Sequence, residues 1–226
     1  LQLLKQYQAV LFDLDGTLVD TQRGIIFCFE QTFAQFGVAL GEKQLKRYLG
    51  PPLRESFDEH LPQDTVEQAV EKYRALYDRC GIEQAQVFDG VLPMLKALKE
   101  RGIVTAVATS KMHEAAQKVL EYFHLSEYFD VIQGASRDSS LDTKTAVMQR
   151  VLEHPALKGC RAVMVGDREH DLTGAANCGI DAVGCMYGYA QPGELEAGET
   201  VYLADTPQDL TKWLMQSCLS KGASYE

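Results

Sequence analysis

Near the start of the chain an apolar run, Val10-Leu11-Phe12, passes directly into Asp13-Leu14-Asp15-Gly16-Thr17-Leu18-Val19-Asp20-Thr21. An apolar run without a polar break is the pattern of a strand buried on both faces, as in a parallel sheet. Side chains on a strand alternate faces, so Asp13 and Asp15, two positions apart, are expected to point together where the strand ends. Gly16 and Thr17 then allow a tight turn. Open α/β sheets place their chemistry at the C-terminal ends of their strands. Two carboxylates at such a spot repel, and a bound cation or a shared proton compensates them.

The rest of the chain falls into two regimes. From Asp20 to Gln86 the pattern gives helices and loops but no convincing strand. Ile26, Phe29, Phe33 and Phe36 have helical spacing within Arg23 to Phe36, with Gly37 as the stop. Gly50-Pro51-Pro52-Leu53-Arg54-Glu55-Ser56-Phe57 reads as a loop leading into a helix, and Thr65 to Cys80 as an amphipathic helix. From Asp89 onward, helices and strands alternate. Strands are expected at Ile103 to Thr109, Phe129 to Gln133, Arg161 to Gly166, Ile180 to Cys185 and Val201 to Ala204. Between them lie helices from Leu92 to a stop at Gly102, His113 to Phe123, Thr143 to Leu152 with Asp142 as its cap, and Leu172 to Cys178. The last helix is opened by Thr206-Pro207. Alternating βαβ units imply a Rossmann-like parallel sheet with helices on both faces. The expected organisation is an α/β core of residues 1–20 and 88–226, with a small all-helical domain, 21–87, inserted after the first strand.

Composition narrows the partners. Lys and Arg number 22 against 32 Asp and Glu, a net charge of −10, which argues against non-specific binding to nucleic acid or an anionic membrane surface. No stretch approaches the length of a membrane span. The six cysteines, Cys28, Cys80, Cys160, Cys178, Cys185 and Cys218, contain no C-x-x-C and read as buried free thiols of a reducing compartment. Leu1 to Tyr7 holds no apolar core long enough for a secretory signal. A cytoplasmic protein is expected, a monomer or weak dimer.

The run Asp13 to Thr21 resembles the first motif of the haloacid dehalogenase superfamily, whose phosphatase branch reads D-x-D-G-T-L-x-D-T or -S; the match is complete over these nine positions. The resemblance covers essentially the whole chain and implies a helical cap inserted soon after that motif. It also implies a second element, a Thr or Ser binding the phosphoryl group at the end of the next core strand, where Thr109 and Ser110 stand. Helix capping is the other reading of Thr109. The third element is a lysine. Lys144 matches it, although Thr145 follows where the family often has Pro. Lys111 is the rival, while Lys158 reads as a surface charge. The fourth, G-D-x-x-x-D, is met by Gly166-Asp167-Arg168-Glu169-His170-Asp171. Here Asp171 reads as holding a bound water or capping the helix. His170 has no second His or Cys beside it and reads as a partly exposed side chain paired with an acid. Tyr187-Gly188-Tyr189 reads as packing and turn chemistry.

By that resemblance Asp13 is a nucleophile forming an aspartyl-phosphate, and Asp15 a general acid and then base. Mg²⁺ is held by Asp13, Asp167, Asp171 and the backbone carbonyl of Asp15, and Lys144 neutralises charge. Gly16, Thr17, Ser110 and the cap residue Arg54 would contact substrate, with pairing of Arg54 to Glu55 or Asp58 the bland alternative. The expected activity is hydrolysis of a small phosphomonoester, phosphoglycolate-like. The alternatives are a nucleoside monophosphate 5'-nucleotidase, a sugar-phosphate mutase, or a non-enzymatic phospho-acceptor on the same fold.

Overall fold

The computed structural model describes residues 6–51, 53–136 and 140–220. The chain runs β1 (Ala9–Phe12), β2 (Val19–Asp20), α1 (Gln22–Gln35), α2 (Glu42–Leu45), α3 (Leu53–Asp58), α4 (Gln63–Leu76), β3 (Gln86–Val87), α5 (Val91–Glu100), β4 (Val104–Met112), α6 (His113–Tyr122), β5 (Val131–Ala135), α7 (Lys144–Leu152), β6 (Ala162–Gly166), α8 (Glu169–Asn177), β7 (Asp181–Cys185), β8 (Tyr202–Ala204) and α9 (Pro207–Ser217). Two compact units result, one of residues 1–18 and 87–226 and the other of 19–86.

The first unit holds a six-stranded sheet in the order β5-β4-β1-β6-β7-β8, every neighbouring pair parallel. All four residues of β1 are buried, as an uninterrupted apolar run requires of a central parallel strand. Its residues alternate: Ala9 and Leu11 pack with Val147, Met148 and Val151 of α7 and Leu172 and Ala175 of α8. Phe12, on the opposite face, meets Phe129 edge to face at 6.4 Å. Strand order reverses at β1, with β4 on one side and β6 on the other. The carboxyl ends of these three strands form the switch point at which such sheets open a crevice.

β4 runs past the expected end at Thr109 to Met112, and its pairing with β5 is irregular there. Ala108 pairs with Gln133 but Met112 pairs with Ala135, so β4 carries two extra residues across the same stretch. Gly134 of β5 fits beneath this bulge, because a Cβ there would stand 2.4 Å from the Lys111 carbonyl oxygen. The cap of α7 is Thr143 rather than Asp142: the Thr143 hydroxyl accepts the Ala146 N–H at 3.2 Å. Asp142 stands one residue too early to reach that position.

The second unit is helical. Its core is a ring cluster in which Phe29 meets Phe33, Tyr48, Phe57 and Tyr73 at 6.0, 5.2, 5.3 and 4.8 Å between centroids. Helix α4 stops at Leu76, short of the expected Cys80, and continues as a π turn, Tyr77–Gly81, and a 3₁₀ turn, Ile82–Gln84. The π turn brings the Gly81 carbonyl so close to α1 that a Cβ on Gly24 would stand 2.2 Å from its oxygen. The stretch expected to lack strands carries two-residue strands at its ends, β2 and β3, which pair with each other. Two residues are too few to show alternation in a sequence. Arg54 pairs with Glu67 of α4, not with Glu55 or Asp58. Pro52 of the expected loop lies outside the described residues. Among the described residues no helix is long and apolar enough to cross a membrane. All six cysteines are free, with Cys28, Cys185 and Cys218 buried; burial pushes the Cys218 thiol up to about 12.

Phe29→Ala would empty the centre of the helical unit's ring cluster. Its unfolding free energy should fall by roughly 3–5 kcal/mol, the cost of deleting a buried Phe side chain. Chemical denaturation followed by circular dichroism measures this, and a loss under about 1 kcal/mol would mean that the ring cluster is not the unit's core.

Candidate active site

Strands β1, β4 and β6 and the starts of helices α7 and α8 supply the site. β1 ends at Phe12, and Asp13 follows at once. Its Oδ1 accepts the Leu14 N–H at 2.8 Å and lies 2.8 Å from the Lys144 ammonium. Lys144 is the first residue of α7, and its ammonium also stands 2.7 Å from Asp171 Oδ1. Burial alone would drive the proton off this lysine, but the two carboxylates reverse the effect and hold it charged, its pKa above the ordinary lysine value. Asp171 is fixed from its other side, where Oδ2 accepts the N–H groups of Asp167 and Arg168 at 3.1 Å each. Asp171 thus closes the first turn of α8 and pairs with the lysine at once.

Asp167 follows β6 and is fully buried. Neutral donors hold it: the Thr17 hydroxyl at 2.9 Å and the Tyr189 N–H at 2.8 Å. Burial, with Asp13 and Asp171 nearby, raises its pKa well above the carboxylate range, and burial pushes that of Asp171 up to about 6. Gly16 is the hinge of this corner. Its φ of +85° is a left-handed conformation, and a Cβ there would stand 2.2 Å from Asp167 Oδ2. The Tyr187 hydroxyl donates to the Thr17 carbonyl at 3.0 Å. The Tyr187-Gly188-Tyr189 turn therefore braces the site, in keeping with its reading as turn chemistry.

Asp13 and Asp15 take different ion-pair partners. The strand has ended before either residue, so alternation no longer governs them. The Asp15 carboxylate instead turns to Lys111, whose ammonium lies 3.0 and 3.2 Å from its two oxygens. This separates the two candidate lysines: Lys144 serves Asp13, and Lys111 serves Asp15. Thr109 is buried, and its hydroxyl accepts the Lys111 N–H at 3.2 Å, which leaves its own hydrogen to donate elsewhere. It caps no helix, since α6 begins after Met112. Ser110 and His170 are exposed.

Asp13, Asp167 and Asp171 each offer an oxygen, all within 4.8 Å of one another. Lys144 pairs with Asp13 and Asp171, while Asp167 has only neutral donors, so a cation would complete the charge balance of the three carboxylates. The donors are all hard oxygens, the kind that holds magnesium or calcium. The residues present therefore fit a divalent metal. A further brace was invisible in the sequence. Glu194 accepts the N–H groups of Glu169 and Gln191 and the Arg168 side chain, each at 2.8 Å, and so ties the loop after β7 to the start of α8. Its longer bonds join residues 26 and 25 positions apart, and Gln191 and Glu194 sit in an unpatterned loop.

A divalent cation should raise the melting temperature of the chain. The folded state, with Asp167 and Asp171 raised, binds protons that the unfolded state has released, so without cation its stability falls as pH rises from the ordinary carboxylate value, 3.8, through about 6. Protons and cation compete for the same oxygens. The gain, about 2.7 kcal/mol at a hundredfold excess over Kd, should therefore be full at about pH 7.5 and shrink by about pH 5. Thermal melts with and without Mg²⁺ measure it. An equal gain in Asp167→Ala would place the cation elsewhere.

Comparison with known proteins places the fold in a family. A family profile described as "Haloacid dehalogenase-like hydrolase" matches residues 10–185. Over 185 residues the chain is 40% identical to "Tyrosine-protein kinase PtkA" of Mycobacterium tuberculosis, a match covering 81% of this chain but 64% of that protein. The chain thus spans less than two thirds of that relative's length. Over 204 residues it is 34% identical to a "5'-nucleotidase" of Pseudomonas aeruginosa, covering 88% of this chain and 92% of that one. The fold superposes on the crystal structure of a "predicted phosphatase" from Clostridium acetobutylicum with a TM-score of 0.86 at 33% identity, covering 94% of this chain and 100% of that one. With the profile spanning strands on both sides of the switch point and all four sequence elements present, the chain belongs to the haloacid dehalogenase-like hydrolases.

Proposed function

We propose that the chain is a Mg²⁺-dependent phosphatase of small phosphomonoesters, phosphoglycolate-like in size and charge, working through a phosphorylated Asp13. The observation that supports it best is the placement of Asp13 at a strand end, its Oδ1 held by Leu14 N–H and Lys144. Both donors meet one oxygen, so Oδ2 carries the lone pair that attacks phosphorus. A carboxylate needs no base for this at neutral pH. Thr109, with Ser110 beside it, donates to the phosphoryl oxygens, and Lys144 neutralises charge as one anion approaches another. Mg²⁺, held by Asp13, Asp167 and the carbonyl of Asp15 with Asp171 in support, would supply further charge neutralisation at the phosphoryl group. Asp15 gives its proton to the leaving oxygen as the ester bond breaks. It then takes a proton from the water that attacks phosphorus, which releases inorganic phosphate and restores Asp13.

A second reading comes from the similarity to a protein named as a tyrosine kinase. Both readings need phosphoryl transfer, and they differ in donor and acceptor. The phosphatase reading expects inorganic phosphate from a simple ester with no nucleotide present. The kinase reading expects nucleotide-dependent labelling of protein tyrosine. Release of phosphate from p-nitrophenyl phosphate with Mg²⁺, absent in Asp13→Asn, supports the first. Activity retained in Asp13→Asn would remove Asp13 as the nucleophile.

The acid is tested by leaving group. Asp15→Asn should slow alkyl phosphate hydrolysis by roughly 10²–10⁴-fold. In pre-steady-state phosphorylation a nitrophenyl ester, whose leaving group needs no proton, should lose far less. Equal losses for both esters in that step would take the proton-donor role from Asp15.

A further inference from the structure

We propose that Glu194 is a positioning residue of the cation site: through Arg168 and the Glu169 N–H it fixes the turn that carries Asp167, and so makes the site prefer Mg²⁺ to Ca²⁺. This rests on the Mg²⁺-dependent reading above and assigns the preference to a residue outside the carboxylate cluster.

The turn is held from two sides. Three consecutive N–H groups run through it, those of Asp167, Arg168 and Glu169. Asp171 Oδ2 accepts the first two at 3.1 Å each, and Glu194 Oε1 accepts the third at 2.8 Å. The same Oε1 accepts the Arg168 Nε–H at 2.8 Å. Asp171 belongs to the cluster of carboxylates that would meet the cation, whereas Glu194 does not. Glu194 thus holds the turn independently of what Asp171 does. The loop between β7 and β8 adds a second grip, because its Tyr189 N–H donates to Asp167 Oδ2 at 2.8 Å.

Glu194 is itself anchored. The next residue, Leu195, is fully buried and packs in the core with Leu172 and Ala175 of α8. The Glu194 and Arg168 side chains are only 9% and 14% exposed, so solvent screens their attraction far less than that of a surface pair. Burial alone would raise the Glu194 pKa, but the Gln191 N–H and Arg168 outweigh it and hold the carboxyl below its ordinary value. The brace therefore stays charged at neutral pH. Fixed donors matter differently to the two cations. Mg²⁺ demands near-octahedral placement of its oxygens, while Ca²⁺ tolerates irregular and longer contacts. A loosened turn costs Mg²⁺ more.

The test measures dissociation constants for Mg²⁺ and Ca²⁺ in the full chain, from displacement of bound Mn²⁺ followed by electron paramagnetic resonance. An amide has one oxygen, so Glu194→Gln turns an NH₂ group towards Gln191 or towards Arg168 and Glu169. Mg²⁺ binding should weaken by roughly 10–100-fold, the usual cost of losing an outer partner of a metal site, and Ca²⁺ binding by about 3-fold or less. Arg168→Gln should also weaken Mg²⁺ more than Ca²⁺. An effect of charge alone would act oppositely in the two variants, since losing an anion weakens cation binding and losing a cation tightens it. Opposite shifts, unchanged Mg²⁺ binding in both variants, or equal losses of Mg²⁺ and Ca²⁺ would overturn the proposal. Circular dichroism checks the fold. If one variant misfolds the other decides, and misfolding of both would overturn the proposal and leave the pair a support of the fold. A wild type that binds none of the three cations would instead overturn the Mg²⁺-dependent reading, and this inference with it.

Discussion

The structure depends on one buried lysine. Lys144 begins a helix, where the exposed N–H groups already favour anions, and it is removed from water. Both effects disfavour its charge. Asp13 at 2.8 Å and Asp171 at 2.7 Å outweigh them, and the three groups hold together only as a set. Removing one member of a buried ion pair costs roughly 3–5 kcal/mol because the others are left uncompensated. The same contacts orient the oxygens of Asp13. Under the proposed function, stability and chemistry rest on the same atoms.

The sheet makes that meeting possible. Asp13, Lys144 and Asp171 lie far apart in sequence, and the order β5-β4-β1-β6-β7-β8 places the ends of β1, β4 and β6 side by side. Short turns follow β1 and β6, so Asp13 and Asp167 issue from rigid backbone. The turn at Gly16 and the turn at Gly188 then pack against Asp167, leaving no room for a Cβ at either glycine. An excess of negative charge is built in around Asp167, and a divalent cation is the natural complement to it.

Much of this was legible in the sequence, because local patterns carried it. The unbroken apolar run gave β1, the βαβ alternation gave the parallel sheet, and the acidic residues after β1 and β6 marked the site. Four features were hidden for physical reasons. That Asp13 and Asp15 take different partners is not set by strand alternation, because β1 ends before both, and a run of apolar residues fixes that end only to within a residue or two. Pairing of Lys111 with Asp15 joins residues 96 positions apart through a bulge that has no sequence signature. The Glu194 brace is likewise a loop contact without periodicity. The π turn after Leu76 keeps helical spacing on paper and departs from it only in its hydrogen bonds.

The central claim is that Asp13 carries the phosphoryl group between two chemical steps. Rapid quench in acid during turnover of a ³²P-labelled ester, followed by borohydride reduction and peptide mapping, reads this directly. The account predicts protein-bound phosphate that hydroxylamine removes, and homoserine at position 13 after reduction. Phosphate found on another side chain, or ester hydrolysed at full rate with no covalent phosphate formed in the first turnover, would contradict it.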